Sequence, residues 1–139
     1  MELRFQENNN DYLVYGISEE YLRQQPKLYR YTLKEFRKVT EKENLFLVQA
    51  HPYRPGLIPM PAQFLDAVEG YNGNARHNSR NDLAMAYAKE HDLPVTSGSD
   101  YHELEDLGRG GMIFEQEISS IEDYIREVRS QARVKLITT

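Results

Sequence analysis

Short apolar runs alternate with amphipathic stretches along the whole chain, and their spacing predicts alternating strands and helices. Asp11-Tyr12-Leu13-Val14-Tyr15-Gly16 is rich in β-branched and aromatic residues and ends on a glycine turn, which predicts a strand. Residues 1–5 are its candidate neighbour, joined to it across the polar tip Asn8-Asn9-Asn10. Ser18 precedes a short helical turn that Pro26 stops, since proline lacks the N–H a helix interior needs. Thr32-Leu33-Lys34-Glu35 is a capping box. It opens a helix through about residue 43, with Leu33, Phe36 and Val39 spaced to face a core. Leu45-Phe46-Leu47-Val48-Gln49-Ala50 predicts a buried strand, and further strands are expected over 64–70, 93–96, 112–114 and 134–137. Helices are expected over 81–91 and, capped by Ser120, from 120 to about 132.

Strands and helices in this order argue for an α/β fold with a mainly parallel sheet and right-handed crossovers. Ligand sites of such sheets gather at the carboxyl edge of the strands. The 139 residues contain no Gly-, Ser- or Pro-rich linker, so one domain spanning 1–139 is expected.

Composition narrows the function classes. The net charge is -5, and acidic and basic residues interleave along the predicted helices, which gives no support to a nucleic-acid partner. Cysteine is absent, so nitrogen and oxygen are the only strong metal donors. No run is apolar enough to cross a bilayer and no basic-then-apolar leader opens the chain. The expectation is a cytoplasmic protein with no membrane role.

The candidate chemistry lies just past predicted strands. Gly98-Ser99-Asp100-Tyr101-His102 sets a carboxylate and an imidazole two residues apart, so an extended backbone points both the same way. The strand over 45–50 delivers His51, followed by Pro52-Tyr53-Arg54-Pro55. His51 is either a metal ligand or a histidine hydrogen-bonded to backbone ahead of a proline turn. Arg54 either forks onto a substrate phosphate or makes a surface ion pair. His77 lies in a long polar run, 73–81, as a further ligand or substrate contact. His91, near a predicted helix C-terminus, reads as a structural residue favoured by the helix dipole. Arg109, among Gly108, Gly110 and Gly111, sits in a loop that either holds an anion or merely turns the chain.

Gly98-Ser99-Asp100-Tyr101-His102 and Ala50-His51-Pro52-Tyr53-Arg54, with Leu107-Gly108 following, resemble motifs of the PHP (polymerase and histidinol phosphatase) family of metal-dependent phosphoesterases. Val68-Glu69-Gly70-Tyr71-Asn72 is similar to the strand between them, and the start of the chain resembles the motif in which a glutamate bridges metals, which maps onto Glu2. The resemblance implies a seven-stranded β/α barrel of mainly parallel strands. It departs from the family at the start, where the His-x-His strand is missing: no histidine precedes His51. The implied fold is therefore an incomplete, truncated barrel. The implied metal ligands are Glu2, His51, Asp100 and His102, with His77 an addition, for zinc, manganese or iron, as one ion or none. The implied catalytic residues are Asp100, His102 and Arg54, with Arg109 also on the phosphate. Two functions follow: hydrolysis of a small phosphoester by a metal-activated water, or a catalytically inactive remnant serving in binding or assembly. The expected partners are a small phosphorylated substrate and, because missing strands expose an edge, a second copy in a homodimer.

Overall fold

Local chemistry places the elements largely where the pattern puts them. The computed structural model describes all of residues 1–139. β1 (Glu2–Arg4) pairs with β2 (Asp11–Tyr15) as an antiparallel hairpin. α1 (Glu19–Gln24) starts at Ser18, whose hydroxyl accepts from the Tyr21 N–H, and α2 (Leu33–Lys42) starts at the Thr32–Glu35 capping box. β3 (Phe46–Gln49), β4 (Ala67–Asn72), α3 (Asn81–Glu90) and β5 (Val95–Gly98) follow, and β6 (Gly110–Phe114), α4 (Ile121–Ser130) and β7 (Val134–Thr138) close the chain. The strand expected over 64–70 lies later because residues Ala62–Phe64 form a single tight helical turn. No helix is long and apolar enough to cross a membrane.

The expected barrel is not formed. Five strands make an open sheet in the order β1-β2-β3-β4-β5, and β6 and β7 make a separate pair. Nor is the sheet mainly parallel: β1/β2, β2/β3 and β6/β7 are antiparallel, and only β3/β4 and β4/β5 are parallel. The physical reason is that alternation of helix and strand says nothing of strand direction. The segment carrying α1 and α2 returns the chain beside β2 in the opposite sense, and the segment carrying α4 does the same for β6 and β7. The open sheet has no missing barrel strands for a second copy to cover, and β1 is an edge of the five-stranded sheet.

Both faces of the sheet are covered. β3 is buried along its whole length and splits its residues by the two-residue period of a strand. Leu47 joins Tyr12, Val14, Leu33, Phe36, Val68 and Ala88 in a core under α2 and α3. Phe46 and Val48 join Ala67 and Val128 in a second core under α4, with Met112 and Phe114 of β6 packed against it. The β6/β7 pair docks on the end of β5: the Ser97 hydroxyl donates to the Ile137 carbonyl (2.8 Å) and accepts from the Gly111 N–H (3.0 Å).

Candidate metal centre

β3 and β5 run parallel within the sheet, so the turns after them emerge on the same edge, and both turns begin with backbone strain. His51 (φ 30°) and Asp100 (φ 50°) occupy the left-handed region, which costs a non-glycine residue about 1–2 kcal/mol. The turn after β3 is closed by the Arg54 N–H donating to the His51 carbonyl (3.1 Å). Such strain persists where surrounding structure holds a side chain in one direction.

A cavity of ≈ 280 Å³ opens at this edge, lined by Glu2, His51, Glu69, Asn72, Asp100 and His102 among others. Four of the five expected metal residues thus meet around one space. His77 does not: it lines a different cavity, together with Arg109. Sequence reasoning missed Asp11. Its carboxylate, one from Glu2 and a ring nitrogen of His51 all lie within 4.8 Å of one another. Asp11 reaches the site because β2 is antiparallel to β3, which sets the first residue of β2 beside the last of β3; the Ala50 N–H donates to the Asp11 carbonyl (2.9 Å). A charged residue opening a strongly apolar strand was the available signal.

The electrostatics of this cluster favour a cation. Burial raises the Glu2 carboxyl above its ordinary range, and the nearby charges of Asp11 and Asp100 raise it further. Burial lowers the His51 imidazole, with the Arg54 charge adding to the effect, so the ring is neutral at pH 7 and keeps a lone pair. Its Nδ1 is buried with no hydrogen-bond partner, and its Nε2 lies 3.8 Å from Asp11 Oδ2. A neutral imidazole whose Nε2 stands beside converging carboxylates fits a divalent ion with nitrogen and oxygen donors, the class to which zinc, manganese and iron belong.

The surroundings hold these groups in place. Arg4 forks onto Asp11 through Nε and Nη2 (2.6 and 2.7 Å). The Arg54 Nη2 donates to Asp100 Oδ2 (2.6 Å), Asn72 Oδ1 (3.2 Å) and Ser79 Oγ (3.2 Å). Burial pushes the Asp100 carboxyl up, but the hydrogen bond and charge of Arg54 outweigh it and hold Asp100 below its ordinary value. Beneath the site Glu69 is buried, accepting from the His51 N–H (3.0 Å) and from Asn72 Nδ2 (3.0 Å). Its burial outweighs both bonds and pushes the carboxyl up to about 7. His102 stands exposed at the mouth, with Nδ1 2.8 Å from the Asp100 carbonyl.

His102 owes its position to a second residue the sequence did not single out. Buried Asp106 accepts from Arg76 Nη2 (2.6 Å) and from the backbone N–H groups of His102 and Glu103 (both 2.9 Å). The Arg76 bond, then the His102 N–H, hold its carboxyl well below the usual 3.8. A carboxyl depressed by folding contributes stability above its unfolded pKa and loses it as pH falls through the folded one. Thermal melts from pH 7 down to pH 2 are therefore expected to show acid destabilisation beginning near pH ~4. Asp106→Asn is expected to be less stable at pH 7 and to flatten that slope; an unchanged slope would refute the assignment.

Residues 78–132 match the model of the family described as PHP-associated, a span that holds Asp100 and His102 but not Glu2, Asp11 or His51. The PHP resemblance seen in the sequence is borne out over that region. Among solved structures, the chain is similar to PsfC from Pseudomonas syringae PB-5123, with a TM-score of 0.75 and 23% identity, over 99% of this chain and 57% of that one. The likeness is one of fold, and this chain spans little more than half the length of PsfC. No curated protein matches.

Proposed function

We propose that this chain is a metal-dependent phosphoesterase-type domain that hydrolyses a small phosphoester. The observation that carries the proposal is the convergence of Glu2, Asp11 and His51, with ligand atoms within 4.8 Å of one another, at a cavity whose lining includes Glu2, His51, Asp100 and His102. A divalent ion bound there supplies charge neutralisation at phosphorus and a more acidic water. Glu2, Asp11 and His51 would hold it, and Asp100 and His102 extend the donor set from the β5 side. Arg54 is the phosphate-binding group: its guanidinium is planar and suited to two-pronged recognition, and its Nε is buried without a partner. Asp100, which lines the cavity, accepts from that guanidinium (2.6 Å).

One observation favours the other reading, a non-catalytic binding or assembly domain. Asp11 is already forked by Arg4, and Asp100 already paired with Arg54, so two of the carboxylates have cations of their own.

Hydrolysis of p-nitrophenyl phosphate and bis-p-nitrophenyl phosphate with added manganese separates the two. The expected result is metal-dependent turnover that falls about 100-fold in Asp100→Ala. No turnover on either substrate would favour the non-catalytic domain.

A further inference from the structure

A second cavity, of ≈ 340 Å³, opens between the loop joining β4 to α3 and the segment that enters β6. His77, Arg80 and Arg109 line it, with Asp82 as the opposing acidic group. It shares a wall with the first cavity. Asn72 lines both, and Ser79, which lines the second, bonds the Arg54 guanidinium (3.2 Å).

The loop is built and not merely long. Asn72 and Asn81 close its base by a reciprocal pair of bonds, Asn72 N–H to Asn81 Oδ1 (3.0 Å) and Asn81 Nδ2 to the Asn72 carbonyl (3.1 Å). Gly73 lets the two walls touch, since a Cβ there would lie 2.3 Å from the Arg109 carbonyl oxygen. Arg109 Nε then donates to the Gly73 carbonyl (3.1 Å), fixing the guanidinium while its terminal nitrogens keep no protein partner.

The arginine pairing of the whole chain sets this cavity apart. Of the 11 arginines, Arg4, Arg23, Arg37, Arg54, Arg76, Arg126, Arg129 and Arg133 each lie within 4.0 Å of a carboxylate. Three do not, and two of these, Arg80 and Arg109, face the same cavity. In a chain of net charge -5, two guanidinium groups with no carboxylate within 4.0 Å line one cavity, which Asp82 and Thr139 also line. A guanidinium's hydrogen bonds to phosphate are charge-assisted and geometrically matched.

We propose that this cavity is an oxyanion subsite that binds a phosphate group through Arg80 and Arg109, distinct from the group held beside His51. Where the phosphoesterase reading also holds, the substrate carries two anionic groups, one for each cavity; the subsite itself stands without that reading.

The test is an amide NMR titration of the metal-free chain, in EDTA, with inorganic phosphate at constant ionic strength set by chloride. Saturable shifts are expected around residues 73–82 and at Arg109, and binding is expected to weaken about tenfold in Arg109→Gln and in Arg80→Gln. His51→Ala is expected to bind phosphate as the parent does. Shifts that do not saturate, that chloride alone reproduces, or that centre on His51 and vanish in His51→Ala would each overturn the proposal. Arg80 is exposed, so Arg80→Gln decides the matter should Arg109→Gln disturb the fold, which the unliganded spectrum reports. Because EDTA removes any ion, failure here and failure of metal-dependent hydrolysis are separate results.

Discussion

Replacing His51 by alanine is expected to weaken binding of manganese or zinc by about 100-fold or more, a larger effect than loss of a residue that only orients a ligand. His51 is the one nitrogen donor among the three groups that lie within 4.8 Å of one another, and its Nε2 lies 3.8 Å from Asp11 Oδ2. Its removal leaves Glu2 and Asp11, whose mutual repulsion already raises Glu2, without a neutral donor between them. Calorimetric titration of parent and variant with either metal measures the loss. The control is His91→Ala, whose ring packs at a tilt against Tyr87 with centroids 4.4 Å apart, away from the site. Equal affinity in parent and His51→Ala would remove the metal centre from this cavity.

Gly110→Ala is expected to cost about 3 kcal/mol, the upper range for forcing an atom into filled space. A Cβ at Gly110 would stand 2.1 Å from the Gly98 carbonyl oxygen and 3.1 Å from the Ser99 nitrogen, all backbone atoms that have no rotamer by which to yield. The strain would fall where β6 meets β5, the contact that docks the β6/β7 pair on the sheet. Gly56→Ala is the comparison: its positive φ (90°) strains an alanine by about 1 kcal/mol, but nothing lies within 4 Å of the added carbon. Urea denaturation of the two variants separates crowding from backbone strain. Similar losses in both would show that β6 shifts freely against β5.

What could be read from the chain and what could not divide along the range of the interactions involved. Helix starts were legible at Ser18, Thr32 and Ser120 because a cap is a bond between residues three apart. The strands at 11–15 and 46–49 were legible because burial imposes composition locally. Strand direction was not, since helix-then-strand order is the same whether the chain returns parallel or antiparallel. That gap led both to the expected mainly parallel sheet and to the omission of Asp11, whose place beside His51 exists only because β2 runs against β3. His51, Asp100 and His102 were legible because each follows the end of a strand, and Glu2 only through the resemblance of the chain's start to a known motif. Asp106 was not, because its role is set by three bonds to Arg76, His102 and Glu103 that no local pattern announces. His77 joins the expected metal residues as a histidine in the long polar run past a predicted strand, and that loop carries it to the neighbouring cavity.

The reciprocal Asn72–Asn81 pair has an evolutionary consequence. It fixes both ends of the intervening segment to each other before the segment's own side chains are considered, so the loop behaves as a cassette on a clasp. Ala75, His77 and Asn78 are exposed within it and carry no packing duty, whereas Asn74 and Ser79 are buried and hold it to the Asp100 and Arg54 side. Substitutions at the exposed positions are thus free to drift and to retune what the loop recognises, while the sheet edge beneath, with His51 and Asp100, stays undisturbed.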